Sequence, residues 1–491
     1  MTSPRGFIIP VGWFAAAILG FGWSVGLAGI ARPPQAPAAA GSAASSDWPS
    51  FGGDAGRSNS SRAATGSEAG NVTSLRRQQV RLDGTVDASA IYLRGVQVNG
   101  RPHDVFFVTT SYGRTIAMDA NDGAVLWEYT PPGYESWAGS YRITTATPVA
   151  DPGRDFIYAA SPDGRVQKIA VADGRAAWTT AITTLPEREK IASALNFFRG
   201  RVIATTDGYI GDRPPYQGHV AILDAGSGRL LHVWNSLCSD RARLIDPHSC
   251  GESGSAIWGR AGAVIDSQTG DILVATGNGR WDGRTNWGDA VLELDPDATR
   301  IVANYTPENT EELDAGDRDL GSTSPVLLGG GLLVQGGKDG RLRLLSVERI
   351  RGASPHRGGE TQSLSTPSGG DLFTAPAVRQ DTAGTWVFAA DNGGTGAWAL
   401  RDGRLEQKWR VSQAGTSPVI AGGLLYVYDP SGGLRVYEPT TGRHIIDLDC
   451  GAGHWNSPIV VDGKIALPEG TANAHRTSGV LDIWRLPRGG G

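Results

Sequence analysis

Repetition is the feature that most constrains this chain. One unit returns along it: a small residue, Pro and an apolar start, a strand, a Gly-containing turn, and a second strand ending near an acidic residue with Gly a few positions on. It reads "TPVADPGRDFIYAASPDGRVQKIAVADGRAAW" from Thr147 and "SPVLLGGGLLVQGGKDGRLRLLSV" from Ser324. It returns as "SPVIAGGLLYVYDPSGGLRVYEPTTGRHI" from Ser417 and "SPIVVDGKIALPEG" from Ser457, with weaker copies at Ser89, Ser193, Ala261 and Ala375. Within each copy apolar and polar residues alternate over short runs bounded by Gly, Asp or Asn, the mark of strands and hairpins. A small sheet of this kind cannot bury both faces alone. Eight of them arranged radially can, and a closed ring leaves no long edge unpaired. The pattern therefore predicts an all-β fold, an eight-bladed β-propeller of four-stranded antiparallel blades, with residues 47–487 as one domain. The 69 glycines agree, since they suit many tight turns and weaken long helices.

The ends read differently. Residues 7–30 are almost uncharged, and "ARPPQAPAAAGSAASS" follows. Residues 1–46 are expected to be a signal peptide or an N-terminal membrane anchor plus a Pro/Ala/Ser linker, which predicts an extracytoplasmic protein, and 488–491 a tail. No Cys follows the apolar run, so lipid attachment there is excluded. Net charge of −5 without a dense Lys/Arg run excludes nucleic acid as a partner. Of three cysteines, Cys238 and Cys250 bracket the short segment "CSDRARLIDPHSC", either as a disulfide or as two free thiols, and Cys450 is expected to be buried. None has zinc-site spacing.

The stretch 113–127, "GRTIAMDANDGAVLW", carries the core of the repeat, and Trp178 and Trp409 stand where Trp127 does, with Trp234 two residues beyond that place. This core, together with the opening "WPSFGGDAGRS" from Trp48, resembles the tryptophan-docking repeat of the pyrroloquinoline quinone (PQQ) propellers, the quinoprotein alcohol dehydrogenase-like family. The resemblance implies a propeller fold and, in its catalytic members, alcohol oxidation with PQQ and Ca²⁺. "VATGN" places Asn278 at the family's calcium ligand. "DAGDRDLGSTSPV" offers Asp319 as the catalytic base, with Asp317 as the second reading, and "GGKDG" supplies Lys338 beside the quinone carbonyl. The family's other calcium ligand, a Glu, falls in "TTDGYIGDRPPYQG", where Asp207 or Asp212 stands in, Asp212 being the choice taken forward. The Trp that lies under the quinone in the family is replaced by Arg260, with Trp258 two residues earlier, an offset of about 7 Å along a strand. No two cysteines are adjacent, so the family's cofactor-covering disulfide is absent.

Other segments carry weaker signals. Trp281 and Trp287, inside the polar stretch that follows Asn278, are read as core or as pocket wall; His454 and His475 are read as rim residues. "PPGYESWAGSYRIT", from Pro131, is a connection that could touch a ligand near the axis. No G-x-S-x-G, P-loop, H-E-x-x-H or haem-attachment motif occurs, so an enzyme of this kind passes its electrons to a separate acceptor. Two functions follow: an exported PQQ/Ca²⁺-dependent oxidoreductase acting on an alcohol or sugar, or a non-catalytic propeller scaffold that binds a protein, glycan or envelope component.

Overall fold

Alternating strands joined by Gly turns fold back on one another in sequence. In the first blade, strands Ile91–Val98, Arg101–Thr109, Thr115–Asp119 and Val125–Tyr129 pair in that order, all antiparallel. The computed structural model describes residues 47–61, 63 and 65–487. Over these residues the same four-strand order recurs at 149–181, 196–235, 264–305, 326–365, 377–411 and 419–448, giving blades 1 to 7 in chain order. Blade 8 combines Ile459–Val461, Lys464–Glu469 and Gly479–Arg485 with the early strand Arg76–Leu82. Every blade begins within a few residues of a repeat start named above. The predicted signal or anchor segment, 1–46, and the tail, 488–491, lie outside the described residues.

First strands of neighbouring blades lie side by side, as Val326–Gly329, Ala377–Asp381, Val419–Ala421 and Ile459–Val461 do. This is the narrow centre of the ring, and the Ser/Thr at the repeat starts stitches it. Ser89 Oγ donates to Ser457 O at 3.1 Å, Ser457 Oγ to Ser417 O at 3.3 Å, and Thr323 Oγ1 to Thr374 O at 3.2 Å. Small hydroxyls suit that position because they satisfy a neighbour's carbonyl without filling the axis.

Away from the axis the contact between blades is apolar, and tryptophan docks across it. Trp127 Nε1 donates to Val171 O in the next blade, Trp178 Nε1 to Ala225 O, and Trp409 Nε1 to Pro439 O. Each indole lies on the turn glycine of the following blade: a Cβ at Gly174 would stand 2.7 Å from the Trp127 ring, and one at Gly228 2.5 Å from Trp178. The Gly and the Trp of the repeat are thus two halves of one contact, made between successive copies.

One end of the ring is closed by the N-terminal segment. Residues 47–61 cross it, taking backbone bonds from Ala150, Ile265, Val378 and Ile420 in four different blades. Phe51 is buried against Ala194, Ala261 and Ala375. Arg57 is fully buried and donates to Phe51 O (2.9 Å) and Leu195 O (2.7 Å). Cys238 and Cys250 form a disulfide, and Cys450 is a buried free thiol. Among the described residues no helix is long and apolar enough to cross a membrane.

Trp127→Ala removes a buried indole and its hydrogen bond together. We expect a loss of about 3–5 kcal/mol in chemical denaturation, with the fold retained.

Candidate functional site

Blade topology decides which side chains can meet. The connection between second and third strands opens on the same face as the connection to the next blade, while the two hairpin turns open on the other. Asn278 follows strand Ile272–Ala275 of blade 4, and Lys338 follows Leu332–Gln335 of blade 5. Asp317 and Asp319 lie on the crossing between those blades, just after the short helix Thr310–Ala315. Asp207 and Asp212 follow Arg201–Thr205 of blade 3. All of them face one funnel.

Within that funnel, Asn278, Asp317, Asp319, Lys338, Asp207 and Asp212 line a single cavity of about 240 Å³. Lys338 Nζ sits 2.7 Å from Asp319 Oδ2 and 2.6 Å from Asp317 Oδ1, and Asn278 Nδ2 donates to Asp317 Oδ1 at 2.8 Å. The Asn278 and Asp319 loops meet at glycines: a Cβ at Gly321 would overlap the backbone of Gly277. Glycine in "DLG" is therefore required by its close approach to "TGN", which is what brings the two polar residues together.

What these bonds leave unsatisfied defines the site. Asn278 Oδ1 and Asp319 Oδ1 are buried without a hydrogen-bond partner, and so is Asp207 Oδ1, whose nearest cation is Lys190 Nζ at 3.7 Å. Buried oxygens are seldom left so. Burial raises the Asp319 carboxyl above its ordinary range, with Lys338 opposing the shift. Burial also raises Asp207, to about 7, against the pull of Lys190. Asp212 differs: it is exposed at the rim and accepts from Tyr216 Oη at 3.1 Å. Of the two acids weighed for this loop, Asp207 is the one directed into the buried part of the cavity.

Aromatic rings complete the lining. Phe373 and Trp455 stack at 5.0 Å and 15°, and Trp258 packs on Trp455 at 5.7 Å. Lys338 Nζ lies 5.1 Å from the Trp258 ring centre. Arg260 is elsewhere. It lines a smaller adjoining space of about 60 Å³, where its guanidinium donates to Asp87 Oδ1 (2.9 Å) and Asp87 O (2.7 Å) and lies over Trp455. His454 Nδ1 is 2.9 Å from Asp87 Oδ2, and its ring stacks on Trp455 at 4.0 Å. Trp258 and Arg260 stand on an irregular connection, not a strand, so the offset read from strand geometry does not hold. Trp281 and Trp287 pair with each other outside the cavity, Trp287 in the core. In the connection from Pro131, Tyr134 and Trp137 are buried together, and only Ile143 reaches the smaller space. His475 lies on the exposed surface.

Four carboxylates (Asp207, Asp212, Asp317, Asp319) and two ammonium groups (Lys190, Lys338) line the larger cavity. An anionic quinone entering this field needs a cation with it. The unpartnered oxygens of Asn278, Asp319 and Asp207 are the hard donors calcium prefers, and the aromatic wall offers a flat ligand a face to stack on. By donor chemistry the residues fit both groups. Among the described residues no three His, Cys, Asp or Glu cluster as a metal site, so the amide oxygen of Asn278 is essential to any such set.

Residues 57–243 match the family model described as "Outer membrane protein assembly factor BamB", a PQQ-repeat model. The chain is an eight-bladed propeller, and this part of it matches the PQQ-type repeat. It is 26% identical over 246 residues to quinohemoprotein alcohol dehydrogenase ADH IIB of Pseudomonas putida, covering 45% of this chain and 35% of that protein. To the polyvinylalcohol dehydrogenase of Sphingopyxis sp. (strain 113P3) it is 22% identical over 446 residues, covering 77% of this chain and 67% of that one. The chain thus spans about a third of the first relative and two-thirds of the second. Among solved structures, quinohemoprotein alcohol dehydrogenase ADHIIG from Pseudomonas putida HK5 superposes with a TM-score of 0.68 at 15% identity, over 91% of this chain and 81% of that one. That likeness confirms the eight-bladed fold.

Asp87, Lys190 and Phe373 escaped sequence reasoning. A signal existed for two of them. Asp87, Phe373 and Trp455 each stand two residues before a repeat start (Ser89, Ala375, Ser457), the place from which a side chain reaches the axis.

Asp87 gives a prediction with a definite sign. Burial would raise its carboxyl, but Arg260 and then His454 outweigh burial and hold it at about 2. Its stabilising contribution is present above the unfolded carboxylate range and is lost as pH falls from about 4 towards 2. Asp87→Asn, which leaves Arg260 buried without its counter-charge, is expected to cost about 3–5 kcal/mol at pH 7. In denaturant melts the gap to wild type should shrink below pH 4.

Proposed function

We propose that this protein is a PQQ- and Ca²⁺-dependent oxidoreductase acting on an alcohol or sugar outside the cytoplasm and handing electrons to a separate acceptor. One observation carries the reading: groups from consecutive blades, Asn278, Asp319 and Lys338, converge in one funnel and leave buried oxygens turned towards a missing partner. The relatives named above, alcohol and polyvinylalcohol dehydrogenases, support it. The Cys238–Cys250 disulfide and the apolar 7–30 stretch support the location.

When bound, the quinone supplies a hydride acceptor and calcium a Lewis acid. The chain's own residues supply the rest. Asn278 and Asp207 would hold the cation through Oδ1. Asp319 takes the substrate hydroxyl proton at its free Oδ1, while Oδ2 stays anchored to Lys338. Its carboxyl, raised by burial, is a better proton acceptor than an exposed aspartate. Lys338, held by two carboxylates, keeps its charge in the half-buried site. The aromatic wall and the Phe51 plug keep bulk water from the closed end of the funnel.

A non-catalytic scaffold is the second reading. It draws on the aromatic wall, which narrows the cavity below the roughly 300–1,000 Å³ usual for ligand pockets, and on the matched family model.

The test is purified protein with PQQ and Ca²⁺, assayed for dye reduction over a panel of alcohols and sugars. The enzyme reading expects quinone binding that needs calcium, and turnover that Asp319→Asn lowers by about 10²–10⁴-fold while quinone affinity holds. Absence of quinone binding at micromolar concentration, with or without calcium, would leave the scaffold.

A further inference from the structure

Blade 4 lacks the docking tryptophan that blades 1, 2 and 6 carry in the inter-blade contact. In blades 1 and 2 the docking tryptophans Trp127 and Trp178 face Ala117 and Lys168 across the sheet. Lys168 satisfies its charge locally, donating to Ala225 O at 3.0 Å. In blade 4 the same pair of positions holds Ala303 and Glu293. No indole covers the place. The turn Val347–Ile350 of blade 5 packs on Ala303 instead, and beside it a cleft of about 680 Å³ opens on the face opposite the funnel.

Glu293 lines that cleft at 7% exposure, and its Oε2 is buried with no hydrogen-bond partner. Around it, Ile265, Leu327, Leu332 and Val347 make an apolar floor. Asp54, Asp266, Asp271 and Glu348 supply the acidic walls. Arg351 is the one cationic side chain lining the cleft, and its Nε is 3.4 Å from Glu348. Five carboxylates therefore face one guanidinium, and the innermost has nothing to bond.

We propose that this cleft binds an aliphatic ammonium group, carried by a free linear polyamine or by a lysine side chain of a polypeptide, with Glu293 as the inner anchor. The chemistry follows from the lining. An alkyl stem lies on the apolar floor while its charged head reaches Glu293, the way long amines divide themselves between apolar and polar surroundings. A buried, unpartnered carboxylate gains most from a charge-assisted bond. A bare metal ion fits less well: calcium takes six to eight oxygens, and among the described residues no three ligating side chains cluster here.

Binding should be linked to protons. Burial, then Asp271, raises Glu293 to about 7; Arg351 opposes the shift and Asp266 adds to it, with Asp54 and Glu348 the further charges on the cleft walls. An ammonium at Oε2 favours the ionised form, so binding releases a proton near neutral pH and weakens as pH falls below 7.

Calorimetry on the whole protein tests this, using spermidine in one arm and a tetralysine peptide in the other. Runs at pH 6 and pH 8, near-physiological salt, and two buffers of different ionisation heat would expose the proton. Expected are saturable one-site binding in at least one arm, which names the source, and tighter binding at pH 8. Near pH 7 the heat should depend on the buffer. Glu293→Gln should remove that dependence and weaken binding by about tenfold or more, the loss of one hydrogen bond to a charged group. Asp271→Asn, on the turn and less buried, should weaken it by a smaller factor. Unchanged affinity in Glu293→Gln, no saturable binding in either arm, or stoichiometric competition by Ca²⁺ would each overturn the proposal. Because this face lies opposite the funnel, the result is independent of whether PQQ binds.

Discussion

Every other feature of this molecule depends on the pairing of its two ends. Strand Arg76–Leu82 hydrogen-bonds along its whole length to Gly479–Arg485, completing blade 8 and sealing the ring. The seam is charged as well as hydrogen-bonded. Arg77 grips the buried Asp482 through two bonds of 2.8 and 3.0 Å, and the same guanidinium reaches Glu469 and Asp449. Bidentate contact of this kind fixes register, which a one-residue slip would invert face for face. Without the seam, blade 8 would expose the edge of Gly479–Arg485 and blade 1 a bare face, and connections from eight blades would not share one mouth.

Closure converts distance along the chain into proximity. Asn278 and Lys338 stand sixty positions apart in sequence, yet Asp317 bonds to both. Asp87 and His454, near opposite ends, share one carboxylate contact beside Arg260. The N-terminal segment adds the complementary constraint by plugging the far side with Phe51 and Arg57, so the mouth is a blind funnel. A blind, partly desolvated funnel lined by unpartnered oxygens and indoles is a place where charge interactions count for more than they do in water.

Much of this was legible in the sequence because the repeat encodes contacts between copies. The Gly and Trp of "GRTIAMDANDGAVLW" and its relatives predicted blades, and their reason is the indole resting on the next blade's turn. The polar funnel residues were legible too, since "TGN" and "GGK" follow strands and "DLG" sits on the crossing between blades, all on one face. What sequence could not show was side-chain direction on irregular connections. Trp258 and Arg260, two residues apart on a segment that is not a strand, both line the smaller space, but only Trp258 also lines the larger cavity; Arg260 is held by Asp87, which no motif marks. Trp281 and Trp287, which composition left open between core and pocket wall, pair through their backbones, Trp287 in a core cluster and Trp281 packed against that cluster. Glu293 was invisible in a run of strand residues; its meaning comes from a buried, unpartnered oxygen at the wall of a cleft.

The central claim is that the buried Oδ1 atoms of Asn278 and Asp207 mark the seat of a cation at the base of the funnel, beside the Asp319 oxygen left free for the proton. Anomalous diffraction from crystals soaked in a divalent ion examines that directly. The account predicts a peak inside the funnel in contact with Asn278 Oδ1 and Asp207 Oδ1, lost in Asn278→Ala crystals. A funnel without such a peak, or an ion bound only on the outer surface, would contradict it.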